Sequence, residues 1–231
     1  MASAENLIKT KLKNLLRNYW LMLACYFLFF FILSLLSSVY PQIDFEKYRQ
    51  TELFRLMNEN PLKFGIMAVV IAPIIEESVF RSLVKPSEND ILIFLCALLS
   101  LTAVYFIPVE AYWLLKYSLL LLSVFIIFIF LKAIIPQPLL AQISRIFSRR
   151  YILIWLISAT VFGLVHIGNY VEGWEFNLML FLLIFPRIIA GFFFGKVKIE
   201  NGSLLWPILL HAMNNGLIVL FSLPSLFNIS L

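Results

Sequence analysis

Along this chain long uncharged stretches alternate with short clusters of Lys, Arg, Asp and Glu, and the stretches are far too long for the buried face of a soluble helix. Crossing a hydrocarbon core of about 30 Å takes roughly 17–25 apolar residues as a helix. Seven windows of about that length occur, at 20–40, 62–84, 91–107, 112–135, 152–172, 177–194 and 203–223. The pattern predicts an all-α fold, a polytopic transmembrane helical bundle of about seven spans forming a single membrane domain over 1–231. Composition agrees: the 231 residues are 62% hydrophobic and 13% charged, against about 45–50% and about 25% in a soluble domain. A cytosolic globule, a disordered chain, a disulfide-stapled secreted fold and a solenoid of soluble repeats are excluded.

The first window follows Lys9, Lys11, Lys13 and Arg17, as a signal peptide would. Its apolar stretch exceeds a signal h-region and no small-residue cleavage site follows, so it reads as an uncleaved span. Placing the N-terminus inside puts twelve basic residues on inner segments: the four just named, Arg81 and Lys85, Lys132, Arg145, Arg149 and Arg150, and Lys196 and Lys198. The outer segments hold four, Lys47, Arg49, Arg55 and Lys63, all between residues 42 and 63 in a mixed-charge stretch expected on the membrane surface. That imbalance favours a cytoplasmic N-terminus. The net charge of +5, from 18 Lys and Arg against 13 Asp and Glu, then reports loops facing anionic lipid, with no nucleic acid as partner. Cys25 and Cys96 lie inside apolar runs, where they act as small hydrophobes and build neither a disulfide framework nor a metal site.

In lipid, ionisable groups stranded within spans carry the functional information, because each costs several kcal/mol unless paired. Three clusters stand out. In Ile74-Ile75-Glu76-Glu77-Ser78-Val79-Phe80-Arg81, Glu77 and Arg81 are four apart and share a helix face on which they can pair. Glu76 is turned about 100° away, without a local partner. A carboxylate so placed suits a general base, although both acids and Arg81 also fit side chains that snorkel to the interface. The chain has only two histidines, and both fall within spans. His166 ends Phe162-Gly163-Leu164-Val165-His166, and His211 is followed one turn on by Asn215. A lone histidine in a membrane helix commonly just bonds a neighbouring helix, but two of two points to a common site with Glu76.

Depth bears on that site. If the fifth span is 152–167, His166 lies near its outer end while Glu76 lies inward of centre. Sliding the span to about 155–171 brings His166 to mid-depth and leaves 144–154 as a basic interfacial helix. Two chemistries fit the residues. A Glu and a His can activate water for attack on a carbonyl while a second His and an Asn donate to the oxyanion. The same set can instead hold zinc through Glu76, His166 and His211, with an open position for water. Both lead to hydrolysis of an amide inside the membrane. No serine has a nucleophile motif and no Gly-rich phosphate loop exists.

The three clusters together resemble the family of CAAX proteases and bacteriocin-processing enzymes, intramembrane endopeptidases also called the Abi family. Its pattern is a Glu pair with Arg after three residues, then Phe-x-x-x-His, then His-x-x-x-Asn or Asp. Here these are Glu76-Glu77 with Arg81, Phe162 with His166, and His211 with Asn215, in that order. Ala72-Pro73 before the acids and Gly202-Ser203-Leu204-Leu205-Trp206-Pro207 before His211 resemble the family as well. The resemblance covers about 62–223 and is densest from Ile189 to Gly216. It implies that Glu76 with His166 activates water, that His211 with Asn215 stabilises the oxyanion, and that Glu77 and Arg81 orient the site. It favours a mechanism without a cofactor, with zinc as the alternative. Two departures are visible: Ser82 stands where the family usually has Gly, and the Glu pair lies 90 residues before His166 instead of a few tens. Residues 91–135 therefore look like an added helical hairpin, a place for a membrane partner or a substrate route.

The resemblance implies a multi-pass enzyme of a bacterial inner membrane acting on a membrane-associated or lipidated peptide or protein, in CAAX-type trimming or in bacteriocin or signal-peptide processing. A non-catalytic scaffold or bacteriocin-immunity protein of the same fold is the alternative. A transporter is disfavoured by the lack of an inverted repeat or matched broken helices. Gly191 and Gly195 are expected to allow close helix contact, and Trp155, Trp174 and Trp206 to pack or mark interfaces. Arg187 either pairs with an acid or snorkels, and the sequons at Asn201 and Asn228 carry no meaning in such a membrane.

Overall fold

The computed structural model describes residues 4–40, 45–48, 50–104, 112–173 and 175–226, and every regular element among them is helical. α1 (Ala4–Val39) is followed by a short 3-10 turn and the surface helix α2 (Thr51–Glu59). Next, α3 (Pro61–Ile66) runs without a break through a π turn (Met67–Ile71) into α4 (Ala72–Phe80). α5 (Glu88–Val104) and α6 (Trp113–Ile134) pack on each other, and α7 (Gln137–Arg149) leads into α8 (Tyr151–Val165), which ends in a 3-10 turn (His166–Asn169). α9 (Leu178–Asn201) and α10 (Leu205–Leu226) complete the bundle.

Each of the seven windows thus contains a helix. By length and composition α1, α6, α9 and the run Tyr151–Asn169 can cross a membrane, and Leu205–Phe221 is a shorter apolar helix. The run 61–80 carries Glu76 and Glu77 within its last helical segment. Apolar side chains dominate the outside of the bundle, as a lipid-facing surface requires.

α9 is the spine, with α8, α1 and α10 against it. Its contact with α8 depends on small residues. A methyl group on Gly191 would stand 3.0 Å from the backbone of Ala159, and one on Gly195 would enter the Trp155 ring. Trp155 fills that space and donates from Nε1 to Phe192 O at 2.8 Å. The expected close contact at both glycines, and a packing role for Trp155, are therefore present. Trp206 packs on the α1–α9 core, whereas Trp174 and Asn228 lie outside the described residues.

Polar ties hold the two ends. At one end, Arg17 reaches Glu200 at 2.7 Å, Asn18 reaches the same carboxylate at 2.6 Å, and Asn14 donates to Asn201 at 2.9 Å. Asn201 is thus buried in an interhelical contact. At the other end, Asn177 donates to Tyr48 Oη at 2.8 Å. The pairs join segments that the charge count puts on the same side.

Three expectations are corrected. The basic interfacial helix is Gln137–Arg149, not 144–154, because the chain turns at Arg150 and α8 begins at Tyr151. Accordingly the fifth span does not slide to 155–171. Lys196 and Lys198 lie inside α9, not in a connection, and Lys198 is 1% exposed. Its Nζ donates to Asp90 Oδ2 at 2.7 Å, tying the α5–α6 hairpin to the spine. Removing one partner of such a pair strands a buried charge. Asp90→Ala is expected to lower stability by about 3–5 kcal/mol, while Asp90→Leu combined with Lys198→Met recovers most of it. Thermal unfolding of the wild type and the two variants in detergent checks this, and equal losses in the single and double variants would contradict it.

Candidate active site

The site begins with a backbone irregularity. Pro73 has no N–H and crowds the carbonyl four residues back, and the helix accommodates it with the π turn, in which Ala72 N–H bonds to Met67 O. Ala68 O thereby loses its α-helical partner, Ala72, and its π-helical partner is Pro73, which has no proton to give. Asn215 on α10 fills the vacancy, donating from Nδ2 to Ala68 O at 2.8 Å. Its Oδ1 accepts from Asn214 Nδ2 at 3.2 Å. The His-x-x-x-Asn motif therefore fixes α10 to the helix that carries the acids.

On that helix Glu77 and Arg81 are both fully buried, with Glu77 Oε2 3.2 Å from Arg81 Nε, an ion-pair contact without hydrogen-bond alignment. The pairing expected from their spacing is present. Arg81 Nη1 donates to Ser158 Oγ at 2.8 Å, and Ser158 donates to Phe80 O. The guanidinium lies over the Phe162 ring, 4.7 Å from its centroid. A methyl at Gly191 would come within 3.2 Å of Arg81 Nη2, so this glycine also shapes the arginine's berth.

The two histidines converge on Glu76. His166 Nε2 is 3.8 Å and His211 Nε2 3.9 Å from the same oxygen, Glu76 Oε2. That oxygen is buried and makes no hydrogen bond among the described residues. His166 reaches it from the C-terminal end of α8. Phe80 O meets Ser158, eight residues earlier, so the end of the helix 61–80 lies within the length of α8 and Glu76 comes up level with His166.

Hydrogen bonds on the far side of each ring set its tautomer. His166 Nδ1 is 2.6 Å from Phe162 O; a carbonyl only accepts, so Nδ1 carries the proton and Nε2 of the neutral ring is an acceptor. His211 Nδ1 is 2.9 Å from Glu77 Oε1; a carboxylate accepts, so Nδ1 donates and Nε2 faces Glu76. Phe194 stacks on His211 at 4.6 Å between centroids, and Phe162 touches both imidazoles. In Phe-x-x-x-His the Phe thus supplies the carbonyl that orients the His and the apolar floor beneath both.

Five of the six predicted site residues, Glu76, Glu77, Arg81, His166 and His211, belong to this one network, and Asn215 binds the helix that carries the acids. Ser158 and Phe194 are additions. Ser158, Phe162 and His166 recur every four residues on one face of α8, a signal available in the sequence; nothing local marks Phe194. No group of three or more His, Cys, Asp or Glu side chains among the described residues is placed to hold a metal ion. Behind the acids, an apolar cleft opens between α4, α5 and α6.

Comparison with curated proteins and with solved structures returns no match. The family model described as "Type II CAAX prenyl endopeptidase Rce1-like" matches residues 58–217, from the last turn of α2 through α10 past Asn215 and including every residue of this network. A match over that much of the chain places it plainly: this multi-pass membrane protein belongs to the Rce1-like family of type II CAAX prenyl endopeptidases.

Proposed function

We propose that this protein is an intramembrane endopeptidase that hydrolyses a peptide bond of a membrane-associated, lipidated protein or peptide with water activated by Glu76 and His166. The observation that carries the reading is Glu76 Oε2, buried without a hydrogen bond and faced by the free nitrogens of two imidazoles whose other nitrogens are already engaged. A water donating to Glu76 and to His166 Nε2 loses a proton to this pair as its oxygen bonds the scissile carbonyl carbon. His211, doubly protonated in this step with its Nδ1–H held by Glu77, donates from Nε2 to the oxyanion that forms, helped by the second amide proton of Asn215. As the tetrahedral centre collapses, the C–N bond breaks and the captured proton passes to the leaving amine. The products are a carboxylate and an amine. Arg81 acts at one remove, holding Glu77 and through it the His211 ring.

Zinc in the same place would use Glu76, His166 and His211. Chelation with 1,10-phenanthroline is expected to leave cleavage intact; loss that returns on adding zinc would assign those three as ligands instead. The basic-residue count supports a cytoplasmic N-terminus, and we place the enzyme in a bacterial inner membrane.

The deciding experiment compares new peptide termini in membranes carrying wild type or Glu76→Gln at equal levels. Termini present only with the wild type establish the protease and name its substrate, whether prenylated protein, bacteriocin precursor or signal peptide. Identical termini with the cellular phenotype intact would make this a binding or immunity protein.

A further inference from the structure

We infer that Arg187 binds the terminal carboxylate of the substrate peptide, a proposal that rests on the protease reading above. Arg187 lies within α9 in a helix apolar enough to cross a membrane, where an unpaired cation is costly. Among the described residues the two fully buried cations have acids, Arg81 with Glu77 and Lys198 with Asp90. Arg187 has none within ion-pair distance among the described residues. Its Nη1 donates to Tyr170 Oη at 2.7 Å and lies 3.5 Å from Leu183 O, and its guanidinium stands over the Tyr170 ring at 5.4 Å. These partners are neutral, and Nε and Nη2 make no hydrogen bond among the described residues. The guanidinium is therefore positioned by the protein and left with its fork and its charge unused.

Its position puts it beside the reaction. Arg187, Gly191 and Gly195 recur every four residues on the face of α9 turned to α8, and Tyr170 follows His166 by four residues. Ile188, next to Arg187, packs against Gly163, three residues before His166. A CAAX motif is by definition C-terminal and ends in a free carboxylate a few residues past the modified cysteine. A guanidinium fork matches a carboxylate with two parallel charge-assisted hydrogen bonds. Bound there, the chain end sets how far along the peptide the Glu76–His166 pair reaches, so the arginine selects for chain ends over internal loops.

The test reads binding without turnover. Full-length Glu76→Gln protein in zwitterionic nanodiscs is titrated with a fluorescent farnesylated peptide ending either in a carboxylate or in a carboxamide. The carboxylate form is expected to bind about tenfold more tightly, the worth of one charge-assisted interaction. Adding Arg187→Gln is expected to erase that preference by weakening the carboxylate form alone, and Arg187→Lys to retain part of it. A preference that survives Arg187→Gln, no preference with Arg187 present, or equal weakening of both peptides each overturns the assignment. Cleavage by the wild type is a separate readout, so failure of the protease reading is distinguishable from failure of this one.

Discussion

Glu76→Gln is expected to lower kcat for cleavage of a farnesylated peptide by about 10²–10⁴-fold, the usual worth of a positioned general base, with little change in KM or in thermal unfolding. The contrast follows from its surroundings. Glu76 Oε2 has no direct partner, so replacing the carboxylate with an isosteric amide breaks no structural bond. The loss falls on the transition state alone. Stopped-flow or endpoint cleavage beside a melting curve on the same preparation checks both halves. An unchanged kcat would remove Glu76 from the mechanism, and a collapsed melting curve would recast it as structural.

Arg81→Ala is expected to do the opposite, destabilising the protein by about 3–5 kcal/mol because it leaves the fully buried Glu77 carboxylate without its counter-charge. It also removes the guanidinium from the Phe162 face and frees Ser158 from one of its partners. Arg81→Met combined with Glu77→Gln removes both charges and is expected to recover much of the stability. Activity is not expected to recover with it, since His211 then lacks its carboxylate. Chemical unfolding in detergent micelles separates the two variants. Equal stability of Arg81→Ala and wild type would show that Glu77 does not depend on this pair.

What the sequence made legible was local. The spacing of Glu77 and Arg81 announced their ion pair because four residues return a helix to the same face, and the same rule put Gly191 and Gly195 on one face for close contact with a neighbouring helix, which is α8. The family motifs named the residues proposed for the site, and two of them make contacts that hold it: His166 with Phe162 O, and Asn215 with Ala68 O. Contacts between helices distant in sequence were not legible. Lys198 looked like a loop cation because nothing nearby shows that Asp90 waits for it 108 residues earlier. Depth was misjudged at His166 because hydropathy marks how long a helix is and says little about how high its neighbour ends. The π turn was hidden too: Pro73 announces a disturbance, but whether the helix kinks, breaks or widens depends on the donor that α10 brings to Ala68.

The buried Asp90–Lys198 pair also constrains how the protein is made. Asp90 leaves the ribosome long before Lys198, and through that interval the first helix of the hairpin carries a carboxylate with no cation to neutralise it. The hairpin cannot settle against a spine that has not yet been synthesised. Its seating must wait for the last third of the chain, so nascent chains that stall before α9 should present an unfinished membrane domain that quality-control proteases recognise. A lesion near the C-terminus would then reduce abundance before it could touch chemistry.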